Sequence, residues 1–387
     1  MSSADRYDVV VVGAGVFGAW SAWHLGRRGQ RVLLVDAYGP GNARSSSAGE
    51  SRIIRMGYGA DQIYTRWAQR SLVQWREFFG FQRPGLFHET GVLWLAGQGD
   101  ARVRETAATL TRCGVTFEQI DRGELEKRYP QIALDGIASG VLELHSGVLM
   151  ARRAVGAVVE AAVVSGVEYR VAEIVTPERA QRSGTLASIA MRSGEHIEAG
   201  QFIFACGAWL GKLFPDELGE RIFPSRQEVF FFGVPAGDTR FSPSALPTFL
   251  FQGDESYGMP DLEGRGFKIA LDRHGVRVDP DTQSRMVTEQ AAEEVRRYVA
   301  RRFPDLRDAP IVETRVCQYE NTSSGDFLID RHPEMENVWF VGGGSGHGFK
   351  HGPAVGVYVA GRILDRAADE ERFSFASKQT VQRRAVY

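Results

Sequence analysis

The chain opens with apolar and polar positions arranged as strand, helix and strand. Residues 7–12 form an apolar, β-branched run, apolar residues then recur at helical spacing as far as Gly29, and residues 32–35 form a second apolar run. Short apolar runs are typical of buried strands, and apolar residues three or four positions apart are typical of a helix with one buried face. The pattern therefore predicts a β-α-β unit at this end of the chain.

Further elements follow in the first half of the chain. A stripe of apolar residues predicts a helix over 61–79 whose buried face belongs to the core. Beyond it the pattern loosens and indicates an insertion over 84–147. The elements predicted there are a strand over 91–95, a helix over 101–113, a short helix that begins at Asp121 and a strand that ends at Ser146–Gly147.

The second half returns to buried strands and then changes character. We predict helices over 150–165, over 287–303 and after Pro353, and strands over 167–171, over 202–209 into a glycine turn, over 228–234 and over 337–341. Tyr257 and Lys268 fall in one further strand-like region. The strand 228–234 is rich in phenylalanine, and we expect its rings to face an apolar cavity. These long separations predict two discontinuous domains that are woven together.

Composition narrows the class of protein. The 387 residues are 43% hydrophobic and 24% charged, with a net charge of −2 and with basic and acidic residues interspersed. Such a chain lacks the basic surface that nucleic acids and anionic membranes select, so we expect a small-molecule partner, no nucleic acid and no membrane. The first strand begins at Tyr7 and no apolar run approaches 18 residues. We therefore expect a cytoplasmic protein, as a monomer or small homo-oligomer.

Three cysteines, Cys113, Cys206 and Cys317, lie far apart in the sequence. Their spacing contains neither a CxxC pair nor a metal-ligand pattern, so we expect no structural disulfide and no metal site.

The loop between the first strand and helix carries the pattern GxGxxG, with glycine at 13, 15 and 18. Gly13 permits a tight turn, Gly15 lets backbone N–H groups approach a pyrophosphate at the positive end of the helix, and Gly18 lets helix and strand pack closely. Asp36 stands at the end of the second strand, where a carboxylate accepts hydrogen bonds from a ribose. The alternative is a glycine turn of an ordinary α/β protein, but the complete unit favours dinucleotide binding.

A second glycine-rich loop follows the strand predicted at 337–341. Five of the seven residues 342–348 are glycine, and a helix follows. Backbone at such a loop comes close to something flat or charged, with the helix N-terminus directed at it; the alternative is a flexible loop.

In the first half, Arg52 and Arg55 bracket two isoleucines. Because we expect those isoleucines to be buried, we also expect the two arginines to flank a further group at the end of the sheet.

Several motifs together resemble the monomeric sarcosine oxidase family, which includes N-methyltryptophan and pipecolate oxidases and lies among the glycine and D-amino acid oxidase flavoenzymes. The motifs are the GxGxxG loop with Asp36, Ser51-Arg52-Ile53-Ile54-Arg55, Cys317-Gln318-Tyr319, residues 326–333 and residues 345–350. They occur in the family's order over nearly the whole chain. The resemblance implies an α/β and α+β fold in which a Rossmann-type FAD-binding domain (1–83, 145–222 and 319–387) is interleaved with a mixed-sheet substrate-binding domain (84–144 and 223–318).

The resemblance also implies roles for individual residues. Cys317 matches the cysteine that the family joins to the flavin 8α-methyl, so FAD is expected to be covalently bound. Arg55 and Lys350 match the pair that holds the substrate carboxylate, Arg52 and Lys268 match basic residues beside the flavin ring, and Tyr257 matches an active-site tyrosine. The expected cofactor-binding residues are Gly13, Gly15, Val16, Phe17, Gly18, Asp36, Ser46, Arg52, Gly207, Trp209, Cys317, Gly344, Gly346, His347, Gly348 and Lys350.

The sequence departs from the family at two places. Ala48 and Gly49 stand where a histidine precedes the first arginine, and Asp272 stands where another active-site histidine occurs. The added acid makes a substrate larger or more cationic than sarcosine plausible.

The expected activity is oxidation of a secondary or N-methyl amino acid to an imine, with oxygen reduced to hydrogen peroxide and with FAD carrying the electrons. Lys268 would stabilise the charge that forms on oxygen. Two alternatives stay open from the sequence: a flavin amine dehydrogenase with another electron acceptor, and a regulatory or redox-sensing protein that binds FAD or NAD without turnover.

Overall fold

The computed structural model describes residues 6–80, 82–177, 184–273, 275–365 and 367–382. Its strands are β1 Tyr7–Val12, β2 Val32–Asp36, β3 Arg52–Ile54, β4 Phe87–His88, β5 Val92–Ala96, β6 Phe117–Asp121, β7 Ser139–Glu143, β8 Gly147–Leu149, β9 Glu168–Val171, β10 Ser188–Ala190, β11 His196–Phe204, β12 Phe223–Phe232, β13 Thr248–Phe251, β14 Ser256–Met259, β15 Phe267–Leu271, β16 Ile311–Asn321, β17 Leu328–Arg331 and β18 Val338–Gly342. Its helices are α1 Val16–Arg27, α2 Gln62–Phe79, α3 Ala101–Arg112, α4 Arg122–Arg128, α5 Ala151–Val164, α6 Leu210–Leu213, α7 Pro215–Leu218, α8 Glu289–Arg302 and α9 Gly352–Leu364.

The first sheet contains the strands that end at the glycine loops. Its order is β17-β18-β11-β1-β2-β9, with β10 paired to β11. Strands β18, β11, β1, β2 and β9 run parallel, whereas β17 and β10 are antiparallel to their neighbours. The carboxyl ends of the parallel strands therefore meet at one edge of the sheet, the place where open α/β sheets bind ligands.

Apolar residues on both faces of this sheet explain why its strands are continuous apolar runs rather than alternating ones. Val9, Val11 and Leu34 pack in one cluster with helices α1, α2, α5 and α9. Val10 and Leu33 point to the opposite face and pack in a second cluster. Burial on both sides fixes the strand ends, and with them the loops that follow.

The second sheet has the order β16-β12-β15-β14-β13-β5-β7-β6 and is mainly antiparallel, with β13 and β5 parallel. A third sheet, β3-β8-β4, lies between the segments of the first and second sheets in the sequence. The combination of a parallel sheet covered by helices with a mainly antiparallel sheet confirms the predicted α/β and α+β fold class. The exact division into two domains remains a prediction.

Most phenylalanines of the second sheet form core instead of lining a cavity, which corrects the sequence prediction. Phe230 and Phe232 on β12 pack against Phe267 on β15 and against Phe303, which follows helix α8. Only the alternate residues of β12 face the site, since Phe231 lies on the other side. The period of two in a strand sends neighbouring rings to opposite faces.

Two predicted strands also need correction. The strand expected to end at Ser146–Gly147 ends as β7 at Glu143, and Gly147 begins β8 in another sheet. Tyr257 and Lys268 lie on separate antiparallel strands, β14 and β15. Strands β13 and β16 were not predicted. In the described ranges, every helix is too short or too polar to span a membrane, and no three His, Cys, Asp or Glu side chains of these ranges come together as a metal site.

Candidate active site

A cavity of about 650 Å³ lies at the carboxyl ends of β1, β2, β11 and β18. Its size is in the range of cofactor sites. Of the residues predicted to bind the cofactor, it is lined by Gly13, Gly15, Val16, Phe17, Asp36, Ser46, Arg52, Gly207, Trp209, Cys317, Gly344, Gly346 and Gly348. Gly18, His347 and Lys350 do not line this cavity.

The first glycine loop is shaped by a close contact between helix and turn. Gly13 has a φ of +105°, which L side chains rarely adopt, and a Cβ on Gly18 would lie 1.8 Å from the Gly13 carbonyl oxygen. Gly18 therefore contributes by letting α1 pack on the turn rather than by touching a ligand. A Cβ on Gly15 would meet only Ser47 Oγ, at 3.3 Å. The backbone at Gly15 is accordingly open towards the cavity.

Asp36 organises the rim of the loop. Its Oδ2 accepts a hydrogen bond from the Ala14 N–H at 2.7 Å, and its Oδ1 accepts from the N–H groups of Tyr38 and Gly39, both at 2.8 Å. Burial raises the pKa of this carboxyl despite these hydrogen bonds. The sequence predicts a ribose contact for Asp36, and the structure adds that it ties β2 to the glycine loop.

The second glycine loop, 342–348, closes the opposite side of the cavity. A Cβ on Gly346 would come within 2.8 Å of the Tyr319 ring, and one on Gly348 would come within 2.8 Å of the Gly344 Cα. Side chains at these positions would occupy the space that the loop leaves. The close contacts of these glycines give the loop a defined conformation as a wall of the cavity, in contrast to the alternative of a flexible loop.

Two buried polar atoms that line the cavity have no hydrogen-bond partner among the described residues. They are Ser46 Oγ and Glu320 Oε2. The other oxygen of Glu320 accepts a hydrogen bond from Gly344 N–H at 3.0 Å, and burial raises the pKa of this carboxyl to about 7. A hydroxyl-rich cofactor would satisfy such atoms. The glycine walls, the helix N-terminus and these two atoms fit FAD.

A smaller cavity of about 70 Å³ adjoins the large one. The predicted catalytic residues Arg52, Arg55, Tyr257 and Lys350 line it. Burial, followed by the charge of Asp272, raises the pKa of Tyr257, so its phenol stays protonated. Apolar walls with a few charged groups are typical of a site for a small organic ion.

Arg55 is held by aromatic rings and not by a carboxylate. Its guanidinium carbon lies 4.6 Å from the centroid of Tyr58 and 4.8 Å from that of Trp94, and one N–H donates to the Gly57 carbonyl oxygen. Its side chain is buried. No carboxylate of the described residues forms an ion pair with it, so most of its N–H donors remain for a ligand.

Lys350 reaches the same cavity from the helical turn Phe349–His351 that follows the second glycine loop. Its Nζ donates to Tyr58 Oη at 2.9 Å and to the His347 carbonyl oxygen at 3.0 Å. Burial and the nearby charge of Arg55 lower the pKa of Lys350 well below its usual range. An anion in the cavity would offset both effects, because an opposite charge favours the ammonium.

Lys350 belongs to a hydrogen-bonded cluster that is centred on Tyr58. Tyr58 Oη accepts from Lys350, so its own proton is available to His351 Nε2 at 2.8 Å or to His347 Nδ1 at 3.2 Å. His347 Nε2 lies 3.0 Å from the Gly325 carbonyl oxygen, which only accepts, so this nitrogen carries a proton. His347 thus positions the loop instead of lining the large cavity.

Glu143 fixes the segment after β3. This fully buried carboxylate accepts hydrogen bonds from Met56 N–H at 2.7 Å, Gly57 N–H at 2.9 Å and Trp94 Nε1 at 2.8 Å. It therefore holds both the backbone and the ring against which Arg55 packs. The sequence shows only a lone acid at the end of an apolar strand, and nothing there points to this role.

Lys268 lies outside the 70 Å³ cavity. It lines a third space of about 40 Å³, and its Nζ donates to Ser51 O at 2.9 Å and Ser51 Oγ at 3.0 Å. Burial and the charge of Arg52 lower the pKa of Lys268 well below its usual range. Arg52 and Cys317 line all three cavities.

Sequence reasoning missed several contributors to the site. Tyr58 follows Arg55 by three residues and lies on the same segment, and Tyr319 belongs to the Cys317 motif without an assigned role. Proximity to predicted residues is the signal that could have found both. Glu320 and His351 also sit next to motif residues, but their burial follows only from how the loops fold over β16 and α2.

Known proteins resemble this chain in sequence and in fold. The family model described as DAO, FAD dependent oxidoreductase, matches residues 8–362. The monomeric sarcosine oxidase of Bacillus sp. strain B-0618 is 30% identical, over 99% of this chain and 100% of that protein. The N-methyl-L-tryptophan oxidase of Salmonella arizonae is 26% identical, over 93% of this chain and 95% of that protein. The crystal structure of L-proline dehydrogenase from P. horikoshii superposes with a TM-score of 0.83 at 20% identity, over 96% of this chain and 97% of that one.

Proposed function

Because the chain belongs to the FAD-dependent oxidoreductase family, we propose that it oxidises a secondary or N-methyl amino acid to an imine, which water then hydrolyses. Oxygen takes the electrons and leaves as hydrogen peroxide. The observation that carries this proposal is a pair of buried cations, Arg55 and Lys350, in a small cavity that adjoins the cofactor cavity.

Arg55 and Lys350 bind the substrate carboxylate. Both are buried and both keep N–H donors without an acceptor among the described residues. Two buried cations that form no ion pair with a carboxylate of the described residues are costly, and an anionic ligand reduces that cost. A carboxylate held there leaves the amino end of the substrate in the remainder of the cavity, near Tyr257. Orientation of this kind contributes to rate by fixing the reacting atoms.

Residues at the junction of the cavities hold the cofactor. Bound FAD supplies the acceptor for the hydride equivalent that leaves the carbon next to nitrogen. The Cys317 thiol lines the cofactor cavity and accepts a hydrogen bond from Arg52 Nη2 at 3.3 Å. We assign Cys317 to covalent attachment of the flavin, and Gly13–Gly18, Asp36 and 344–348 to its binding.

Lys268 serves the reaction with oxygen. Its Nζ keeps one N–H donor without an acceptor among the described residues, and its space lies apart from the substrate cavity. A buried ammonium with a lowered pKa is stabilised by an anion that forms beside it. Reduction of oxygen forms such an anion.

We extend the proposal to the organisation of the molecule. Segments 1–83, 145–222 and 319–387 form the FAD-binding domain, and 84–144 and 223–318 form the substrate-binding domain. The enzyme is cytoplasmic and works as a monomer or small homo-oligomer, which light scattering of the purified protein would test.

Anaerobic titration tests the function. Sarcosine, N-methyl-L-tryptophan and pipecolate are added to the yellow protein, and absorbance near the flavin maximum is followed. We expect at least one to bleach the flavin, its carboxamide analogue to fail, and air to restore the colour with one peroxide per turnover. Absence of bleaching by every amine would favour a redox sensor. Bleaching that air reverses only slowly, without peroxide, would favour a dehydrogenase.

A further inference from the structure

The carboxyl of Asp272 lies in the same small cavity as the two cations. Asp272 follows β15, is partly buried, and lines the cavity together with Arg55, Lys350, Tyr257 and Tyr319. Its carboxyl makes no ion pair among the described residues. A carboxylate and two cations that form no ion pairs among the described residues fit a ligand that carries both charges.

Tyr319 orients this carboxyl. Tyr319 Oη donates a hydrogen bond to Asp272 Oδ1 at 2.9 Å. Burial, followed by the charge of Asp272, raises the pKa of Tyr319 well above its usual range, so the phenol remains a donor. The described residues provide no hydrogen bond to Asp272 Oδ2. One oxygen is therefore fixed to the protein and the other is left for a ligand.

The charges around Asp272 bear on its protonation. Burial raises its pKa to about 6; Tyr319, Arg55 and Lys350 oppose that rise, and Glu255 adds to it. The groups that face it are Tyr319 on β16, Tyr257 on β14, Arg55 after β3 and Lys350 after the second glycine loop, and Glu255 before β14 acts on it through its charge. At neutral pH the carboxylate is mostly ionised, yet it can hold a proton at modest cost.

We propose that Asp272 binds the ammonium group of the substrate and accepts its proton, so that the amino acid enters as a zwitterion and reacts as a free amine. This inference rests on the proposed function. An N–H bond of the substrate breaks, its electron pair stays on nitrogen, and an O–H bond forms at Asp272 Oδ2. The hydride equivalent then leaves carbon with the two electrons that FAD accepts, and water later receives the proton from Asp272.

Two inert ligands separate this role from a structural one. (Methylthio)acetate and dimethylsulfonioacetate both carry the carboxylate, but only the second carries a fixed positive charge at the position of nitrogen. Binding to the holoenzyme is measured by the change in the flavin absorption spectrum. For Asp272→Asn we expect affinity for the sulfonium to fall about ten- to a hundredfold, with (methylthio)acetate unchanged or tighter. Equal loss for both ligands would overturn the proposal.

The pH profile tests the proton transfer. In the wild type, flavin reduction by an N-methyl amino acid should lose its rate below about pH 6, where Asp272 is protonated. In Asp272→Asn the acidic limb of the pH profile, which is the loss of rate near pH 6, should vanish. Near pH 7.5 the rate should be about a hundredfold below that of the wild type, and it should recover at higher pH, where more of the substrate is a free amine. Glu255→Gln, which removes an exposed charge that raises the pKa of Asp272, should keep the limb but move its midpoint slightly to lower pH. An unchanged limb in Asp272→Asn would refute the transfer.

The two failures are distinguishable. If no amine reduces the flavin, the proposed function is wrong, while the ligand pair still decides whether Asp272 recognises a cation. If amines reduce both proteins with the same pH profile and the ligand pair shows no difference, the function stands and Asp272 has no part in amine binding.

Discussion

Arg52 Nη2 donates a hydrogen bond to Cys317 Sγ over 3.3 Å, at the point where the three cavities meet. The two residues are 265 positions apart in the sequence. One arginine thus contacts the proposed attachment point and lines both the proposed substrate cavity and the space that Lys268 lines. The contact joins β3 of the smallest sheet to β16 at the edge of the largest.

Cys317→Ser should release flavin. Acid precipitation of the wild type should leave a yellow pellet, whereas the variant should lose its colour to the supernatant, because no thioether holds the flavin. Exchange of one sulfur is a small packing change, so the fold should persist. Cys206→Ser is the control, since Cys206 lines the same cavity but donates to Val12 O. A colourless wild-type pellet would mean that the flavin is not covalently bound to Cys317.

Arg55→Ala should weaken carboxylate ligands selectively. Removal of one buried cation of the pair costs about 3–5 kcal/mol, or a hundredfold to a few thousandfold in the Kd of (methylthio)acetate. Neutral amines should lose far less, and Arg66→Ala on the exposed face of α2 should lose nothing. Spectral titration of all three proteins gives the values. Equal weakening of acids and neutral amines would make Arg55 structural.

Lys268→Met should separate the two half-reactions. The change keeps the length and removes the charge, so reoxidation by oxygen should slow about a hundredfold to a thousandfold. Anaerobic reduction by substrate should fall less, because it depends on Arg55 and Lys350. Stopped-flow absorbance measures each step. A variant that reoxidises at the wild-type rate would remove Lys268 from the mechanism and revive the dehydrogenase alternative.

Glu320→Gln should change the pH dependence of stability. The folded protein raises the pKa of Glu320 from about 4.5 to about 7. Its favourable contribution is thus complete below about pH 4.5 and is lost as pH rises through 7. At pH 8 the variant should unfold at a higher urea concentration than the parent, because its free energy of unfolding should be larger by about 1–3 kcal/mol. At pH 4.5 the two free energies of unfolding should differ little. The Cys317→Ser background, freed of flavin, suits this comparison. An equal difference at both pH values would contradict the shift.

The sequence predicted the first sheet well because its strands are buried on both faces and its loops carry glycine for steric reasons. Strands β1 and β2 and helix α1 formed as expected, within one or two residues. The second sheet was harder to predict. β16 alternates exposed and buried residues that resemble a polar segment, and β13 is a four-residue strand between turns.

In the candidate site, too, some features could be predicted from the sequence and others could not. Residues within motifs, such as Gly13 and Cys317, line the large cavity, and their roles in cofactor binding stay predictions. The distribution of the two lysines between the cavities was not predictable, because it depends on how distant segments fold around Arg52: Lys268 on β15 lines the 40 Å³ space, and Lys350 lines the 70 Å³ cavity. Glu143 supports the site from another sheet, and no local pattern reveals contacts of that kind.

The cofactor cavity is built from both ends of the chain, which sets an order of events during protein synthesis. Its first wall includes Asp36, and its last wall, 342–348, follows β18, which pairs with β11 inside the sheet. At bacterial and eukaryotic translation rates, the ribosome needs roughly 15–60 s to make the residues between these walls. A nascent chain therefore lacks a complete cofactor cavity until residues 342–348 have left the ribosome and β18 has paired with β11.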